Sequence, residues 1–208
     1  MGKFDWFWKA MGSTTERNNK KSKAVVANAH GLIEELSLLD DASLASAVAS
    51  TVRDGAIADK PRFLAGLSVA SQRTLGMTPF EVQNQAVLRL LEGDVIQMAT
   101  GEGKTLVGAM AATGFALQGK RVHLITVNNY LAARDAEWMR PLVEFFGLTV
   151  AAVTESSTRE ERVTAYRSDV IYAPVTEIGF DHLRDNQITS REQTVQLPAD
   201  VALVDEAD

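Results

Sequence analysis

The 208-residue chain contains no cysteine. That excludes disulfides and thiolate metal sites, and it is compatible with a reducing compartment. Histidine is nearly absent too: His30, His123 and His182 are too scattered along the sequence to form a ligand set. No run of about 18 apolar residues occurs, so no segment reads as a transmembrane helix. The first dozen residues lack the continuous apolar stretch of a secretion signal. Positive charge is in short supply, with a formal net charge of −6. This disfavours a nucleic acid as the main partner, because phosphate contacts require a basic surface. What is present, 46% hydrophobic and 23% charged residues, is enough to bury a core in one large or two small domains.

The stretch with the clearest chemistry is Met98-Ala-Thr-Gly-Glu-Gly-Lys-Thr105. It follows a short apolar run at Val95 to Met98, which predicts a strand, and opens a helical pattern at Lys104. Gly101 and Gly103 let the backbone take φ values closed to other residues, so that successive N–H groups can converge on one anion. A phosphate loop of this kind places Lys104 on the β/γ-phosphates and the Thr105 hydroxyl on Mg²⁺, with the positive end of the new helix toward the triphosphate. The general pattern has glycine where Met98 stands. A second signal offsets that departure: Val201-Ala-Leu-Val-Asp-Glu-Ala-Asp208 is an apolar strand ending in carboxylates, where a Mg²⁺ contact and a water-activating base are needed.

Before residue 76 the pattern is helical. Helices are predicted over Ser22 to Leu39, Ala42 to Val52 (ended by Asp54-Gly55) and Pro61 to Leu75. The first dozen residues place Phe4, Phe7, Trp8 and Met11 at helical spacing. Residues 1–23 carry a local net charge of +4 from Lys3, Lys9, Arg17, Lys20, Lys21 and Lys23 against Asp5 and Glu16. Two readings stand side by side: an interfacial anchor on anionic lipid, and a terminal helix whose aromatics pack on the parent domain. From Gly76 strands and helices alternate as βαβαβαβαβ, which implies crossover connections and a parallel sheet with its ligand site at the strand ends. The division is therefore a helical lead-in over 1–75 and a nucleotide-binding domain over 76–208. The fold class is α/β, a P-loop (RecA/helicase-like) parallel sheet with flanking helices. Because the chain stops just after the acidic strand, that domain reads as incomplete, with an unpaired sheet edge.

Five segments in order carry a family resemblance: Leu75-Gly-Met-Thr-Pro-Phe-Glu-Val-Gln83, Met98 to Leu106, Thr126-Val-Asn-Asn-Tyr-Leu-Ala-Ala-Arg-Asp-Ala-Glu-Trp-Met139, Gly179-Phe-Asp-His-Leu-Arg-Asp-Asn186 and Val204 to Asp208. The chain resembles the N-terminal part of SecA, the ATPase motor that drives preproteins across the bacterial membrane. The Thr126 to Met139 segment is the most discriminating, and Met98 is ordinary in this family. The sequence departs from the common SecA pattern at Ala99, Asn129, Ala173 to Thr176 and Ala207. These departures, with Phe7-Trp-Lys at the start, resemble an accessory SecA of the actinobacterial type.

The resemblance implies ATP and Mg²⁺ as cofactors. It assigns nucleotide contacts to Gln83, Met77, Thr100, Gly101, Glu102, Gly103, Lys104 and Thr105, Mg²⁺ contacts to Thr105 and Asp205, and catalysis to Glu206, as the base, with Lys104. Gln83 would read adenine, flanked by Met77 and Phe80. Arg134, Asp135 and Glu137, and likewise Asp181, Arg184 and Asp185, read either as relays of nucleotide state or as solvated faces with local ion pairs; Asp208 reads either as a link to neighbouring motifs or as a helix cap. The implied partners are the SecY channel complex, an unfolded preprotein, anionic lipid through residues 1–23, and a second copy or a principal SecA. The implied location is the cytoplasm and the inner face of the cell membrane. The 208 residues lack the second nucleotide-binding half and its arginine, so negligible turnover is expected of this chain alone. Two rival readings are a DEAD-type RNA helicase, favoured by Asp205 to Asp208 taken literally, and an inactive truncated fragment that binds membrane or motor.

Overall fold

The computed structural model describes residues 14–190 and 193–207, with side chains described from residue 19 onward. The expected aromatic helix near the N-terminus lies outside the described residues, as does Asp208.

Three helices lead in: α1 (Thr14–Ser37), α2 (Asp41–Ala49) and α3 (Lys60–Leu75). Local chemistry sets their ends. Asp40 caps α2 by accepting from the N–H of Ser43 at 2.8 Å. Asp59 caps α3 with Pro61 in its first turn, and Gly76 ends it at φ +69°. Between α2 and α3 the structure differs from the sequence expectation. α2 stops at Ala49, and Val52–Arg53 (β1) pairs antiparallel with Ala56–Ile57 (β2). The two residues between them, Asp54 at φ +51° and Gly55 at φ +72°, form a two-residue hairpin turn with both positions left-handed. Asp-Gly favours that turn.

The second half alternates as expected from α5 onward, with α4 (Glu81–Leu91) followed directly by α5 (Lys104–Leu117) and then β3 (Val122–Thr126), α6 (Asn129–Phe145), β4 (Val150–Ala152), α7 (Arg159–Ala165), β5 (Val170–Pro174), α8 (Val175–Gln187) and β6 (Val201–Val204). β3 to β6 form one sheet in the order β4-β5-β3-β6, and every pairing in it is parallel. The fold is thus an α/β parallel sheet flanked by helices. Residues 95–98, expected as a strand, are not assigned to one, and Val95 is 97% exposed. A β-branched run becomes a strand only when its backbone finds a partner, and β6 is at the sheet's edge.

One apolar cluster covers one side of the sheet, and a second lies behind it. Val122, Leu124, Val170 and Tyr172 pack with Ala112 and Phe115 of α5 and Ala132, Ala136 and Val143 of α6. Behind them Leu36, Leu44, Phe63 and Leu64 of the lead-in share a cluster with Val87, Val107, Met110, Met139 and Leu142. The lead-in helices are packed directly against the helices that hold the phosphate loop. On the other face Ile171 and Ala173 pack with Tyr166 and Val195.

Candidate nucleotide site

α5 begins at Lys104 without a side-chain cap; its N-cap residue is Gly103 in the left-handed region, φ +79°. Gly101 is also left-handed, at φ +87°. The preceding turn closes on itself. The Glu102 N–H donates to the Ala99 carbonyl at 3.2 Å, and the Ala99 N–H donates to the Glu102 carboxylate at 2.8 Å. The opening helix therefore presents its first backbone N–H groups at the end of a glycine-shaped loop, which suits an anion.

The sheet brings the acidic segment to this loop. Asp205 follows β6 and its N–H donates to the Ile125 carbonyl at the end of β3, 3.0 Å away. Across from it, Lys104 Nζ lies 2.9 Å from Glu206 Oε1. Residues 102 positions apart in sequence thus meet at the strand ends, as the two motifs require. Glu206 takes φ +55°, a conformation uncommon for a straight-chain residue, and its N–H donates to Asp205 Oδ1 at 3.0 Å. Burial raises the Asp205 carboxyl above its ordinary value, and the neighbouring Glu206 charge adds to the shift. A cation beside Asp205 would relieve both penalties, so the donor set fits Mg²⁺. No group of three or more His, Asp or Glu side chains is placed to hold a metal ion among the described residues. A Mg²⁺ ion here would take most of its oxygens from phosphate and water.

Gln83 is buried, and its amide already has protein partners. Its oxygen accepts from the Phe80 N–H at 2.8 Å, and its nitrogen donates to the Glu102 carbonyl at 2.8 Å. Sequence reasoning missed this strut between α4 and the phosphate loop. Met77 is half-buried against the lead-in core, whereas Phe80 is 72% exposed. Thr100, Gly101 and Glu102 are exposed and Thr105 is half-buried.

The relay candidates divide. Arg134 pairs with the buried Asp135 at 2.6 Å and stacks over Tyr130, while Glu137 pairs with Arg140 on its own helix. Asp181, 1% exposed, belongs to a buried network centred on Arg162, a residue outside the family-like segments. Arg162 donates to Asp181 and Glu177 at 2.7 Å each, and to the carbonyls of Thr154 and Ser157. Tyr166 donates to Asp181 at 2.9 Å. Arg184 contacts the other Asp181 oxygen, and Asp185 accepts from the N–H groups of Val195 and Gln196. An arginine with acidic partners on the next helix has no local signature, because the pairing depends on how α7 and α8 pack.

Comparison with known proteins agrees with the geometry. The chain matches the SecA DEAD-like domain family over residues 7–208. It is 62% identical to protein translocase subunit SecA 2 of Corynebacterium efficiens over all of this chain and 27% of that protein. Protein translocase subunit SecA 3 of Mycolicibacterium vanbaalenii is 50% identical over 97% of this chain and 26% of its own length. SecA 2 of Mycobacterium leprae is 51% identical with the same coverage. The chain thus spans about a quarter of the length of these relatives. A strand-end phosphate loop facing a carboxylate segment, on a sequence half or more identical to accessory SecA proteins from end to end, gives one conclusion: the chain belongs to the SecA family and corresponds to the N-terminal, DEAD-like part of its accessory members.

Proposed function

We propose that residues 76–208 form the ATP-binding portion of a protein-translocating motor, with residues 1–75 as its helical lead-in. The observation that carries this reading is the 2.9 Å contact between Lys104 and Glu206, since a triphosphate gripped by the loop would sit beside the carboxylates that act on it. The N–H groups from Thr100 to Thr105 cradle the phosphates and Lys104 neutralises the β/γ-oxygens. Thr105 and Asp205 would hold Mg²⁺, which supplies positive charge to the transferring phosphoryl group. Glu206 orients the attacking water and accepts its proton. Gln83 reads the adenine edge with the amide donor and acceptor its present bonds leave over, and Met77 and Phe80 flank the ring.

The relatives are named protein translocase subunits. By extension, the whole protein that contains this chain uses ATP hydrolysis to push unfolded preproteins through the SecY channel, working from the cytoplasm at the inner face of the membrane as a homodimer or beside a principal SecA. Residues 1–23 contribute contacts to anionic lipid. Among the described residues no helix is long and apolar enough to cross a membrane. Turnover by the 208 residues alone is negligible, because a charge-stabilising arginine worth roughly 10³ to 10⁵ in rate comes from a second nucleotide-binding half. Binding of a fluorescent ATP analogue tests the site: Lys104→Ala should abolish it, and undiminished affinity would refute the phosphate contact. In the whole protein, ATPase stimulation by preprotein with channel vesicles supports the motor, whereas stimulation by RNA alone would replace it with a helicase.

A further inference from the structure

The nucleotide site contains an internal occupant. Lys104 at the start of α5 is joined to Glu206, so the cation meant for a phosphate already holds a carboxylate. Glu206 is held there in an unfavourable backbone conformation. Only two non-glycine residues among those described have positive φ, Asp54 and Glu206. Asp54 sits in an Asp-Gly hairpin turn that suits it. Glu206 has no such turn, and a long unbranched acid gains nothing locally from the left-handed region. Two contacts hold it: the Lys104 bridge and the bond from its own N–H to Asp205.

We infer that the Lys104–Glu206 ion pair is a latch, which an incoming phosphate opens by taking Lys104 and thereby freeing the Glu206 side chain. This rests on the nucleotide-site reading above and adds an order of events to it. Both partners are partly exposed, Lys104 30% and Glu206 48% at the side chain, so the pair is weak enough to exchange. A phosphate oxygen competes for the same ammonium, and its charge repels the carboxylate that it displaces. While the pair holds, Oε1 of Glu206 is occupied by the ammonium. Once Lys104 turns to phosphate, the contact that favours the left-handed conformation is lost, and the side chain can reorient toward water beside the γ-phosphate. Nucleotide occupancy itself thus sets the position of the base.

The test is calorimetric titration of the full chain with ADP in EDTA, which removes hydrolysis and divalent metal. Glu206→Asp keeps the charge but is one methylene too short to keep the 2.9 Å contact. It should bind ADP about two- to fivefold more tightly than the unaltered chain, the size of a partly exposed ion pair. Glu206→Gln, which also removes the repulsion, should gain at least as much. If Glu206→Asp binds ADP no better than the unaltered chain, while Lys104→Ala still abolishes binding, the latch is refuted and the nucleotide site stands. If Lys104→Ala binds like the unaltered chain, the site reading fails and the latch goes with it.

Discussion

The Gln83 side chain spans two bonds, from the Phe80 N–H to the Glu102 carbonyl, each 2.8 Å long. It ties the first turn of α4 to the crest of the phosphate loop, so its effect on nucleotide binding need not pass through the base.

Replacing Gln83 with alanine should therefore weaken binding of inorganic tripolyphosphate as well as ATP. A loss of about three- to tenfold for tripolyphosphate corresponds to one hydrogen bond. A further loss for ATP alone would assign Gln83 a contact with the base. Unchanged tripolyphosphate affinity would show that the strut contributes nothing to the loop.

Glycine matters differently at the two loop positions. A Cβ on Gly101 meets nothing within 4 Å, whereas one on Gly103 would lie 2.4 Å from Gln83 Nε2. Both positions have positive φ, so alanine costs about 1–3 kcal/mol of backbone strain at either. Gly103→Ala should cost more in urea melts because it also displaces Gln83. Combining it with Gln83→Ala should remove the excess; full additivity would deny the steric coupling.

The Arg162 network should dominate the stability of the α7–α8 layer. Removing the arginine leaves Glu177 and Asp181 buried without their cation, and Arg162→Ala is expected to destabilise by about 3–5 kcal/mol in denaturant titration. Arg162→Lys should recover only part, because one ammonium cannot reproduce a fork that reaches two carboxylates and two carbonyls. A loss below about 1 kcal/mol for the alanine variant would mean the network is not native in solution.

His123 should make stability depend on pH. It is 5% exposed, its Nε2 has no partner, and burial, then the Arg121 charge, hold its pKa below the ordinary 6.5. Below about pH 6.5 the unfolded chain takes up a proton that the folded chain refuses. Stability is therefore complete above that pH and falls as the pH drops toward the folded value, by at most about 1.4 kcal/mol per pH unit. His123→Phe should flatten melting temperature between pH 7 and 5; an unchanged slope would assign the effect elsewhere.

The parts of the fold that read easily from sequence were those governed by short-range rules. The helix boundary at Gly76 and the parallel alternation from α5 onward follow from local geometry and burial period, and the structure has them. The hairpin at Asp54-Gly55 is equally local, yet its residues read as a helix end, because two-residue strands leave almost no alternation to detect. Val95 to Met98 has strand composition without a strand, since pairing is a property of neighbours.

By itself the sequence determined which groups are available for chemistry: glycines at 101 and 103, a lysine and threonine at a helix start, and carboxylates after an apolar strand. Their types and spacing suit phosphate and Mg²⁺. Only tertiary structure decided which of them meet. The β3–β6 pairing sets Glu206 against Lys104, and packing of α4 beside α5 turns Gln83 into a strut. Packing of α7 and α8 spends Asp181 on Arg162. Each is a contact between residues 19 or more positions apart, where no backbone rule carries information, and hydrogen-bond and charge satisfaction in the folded chain selects the partners.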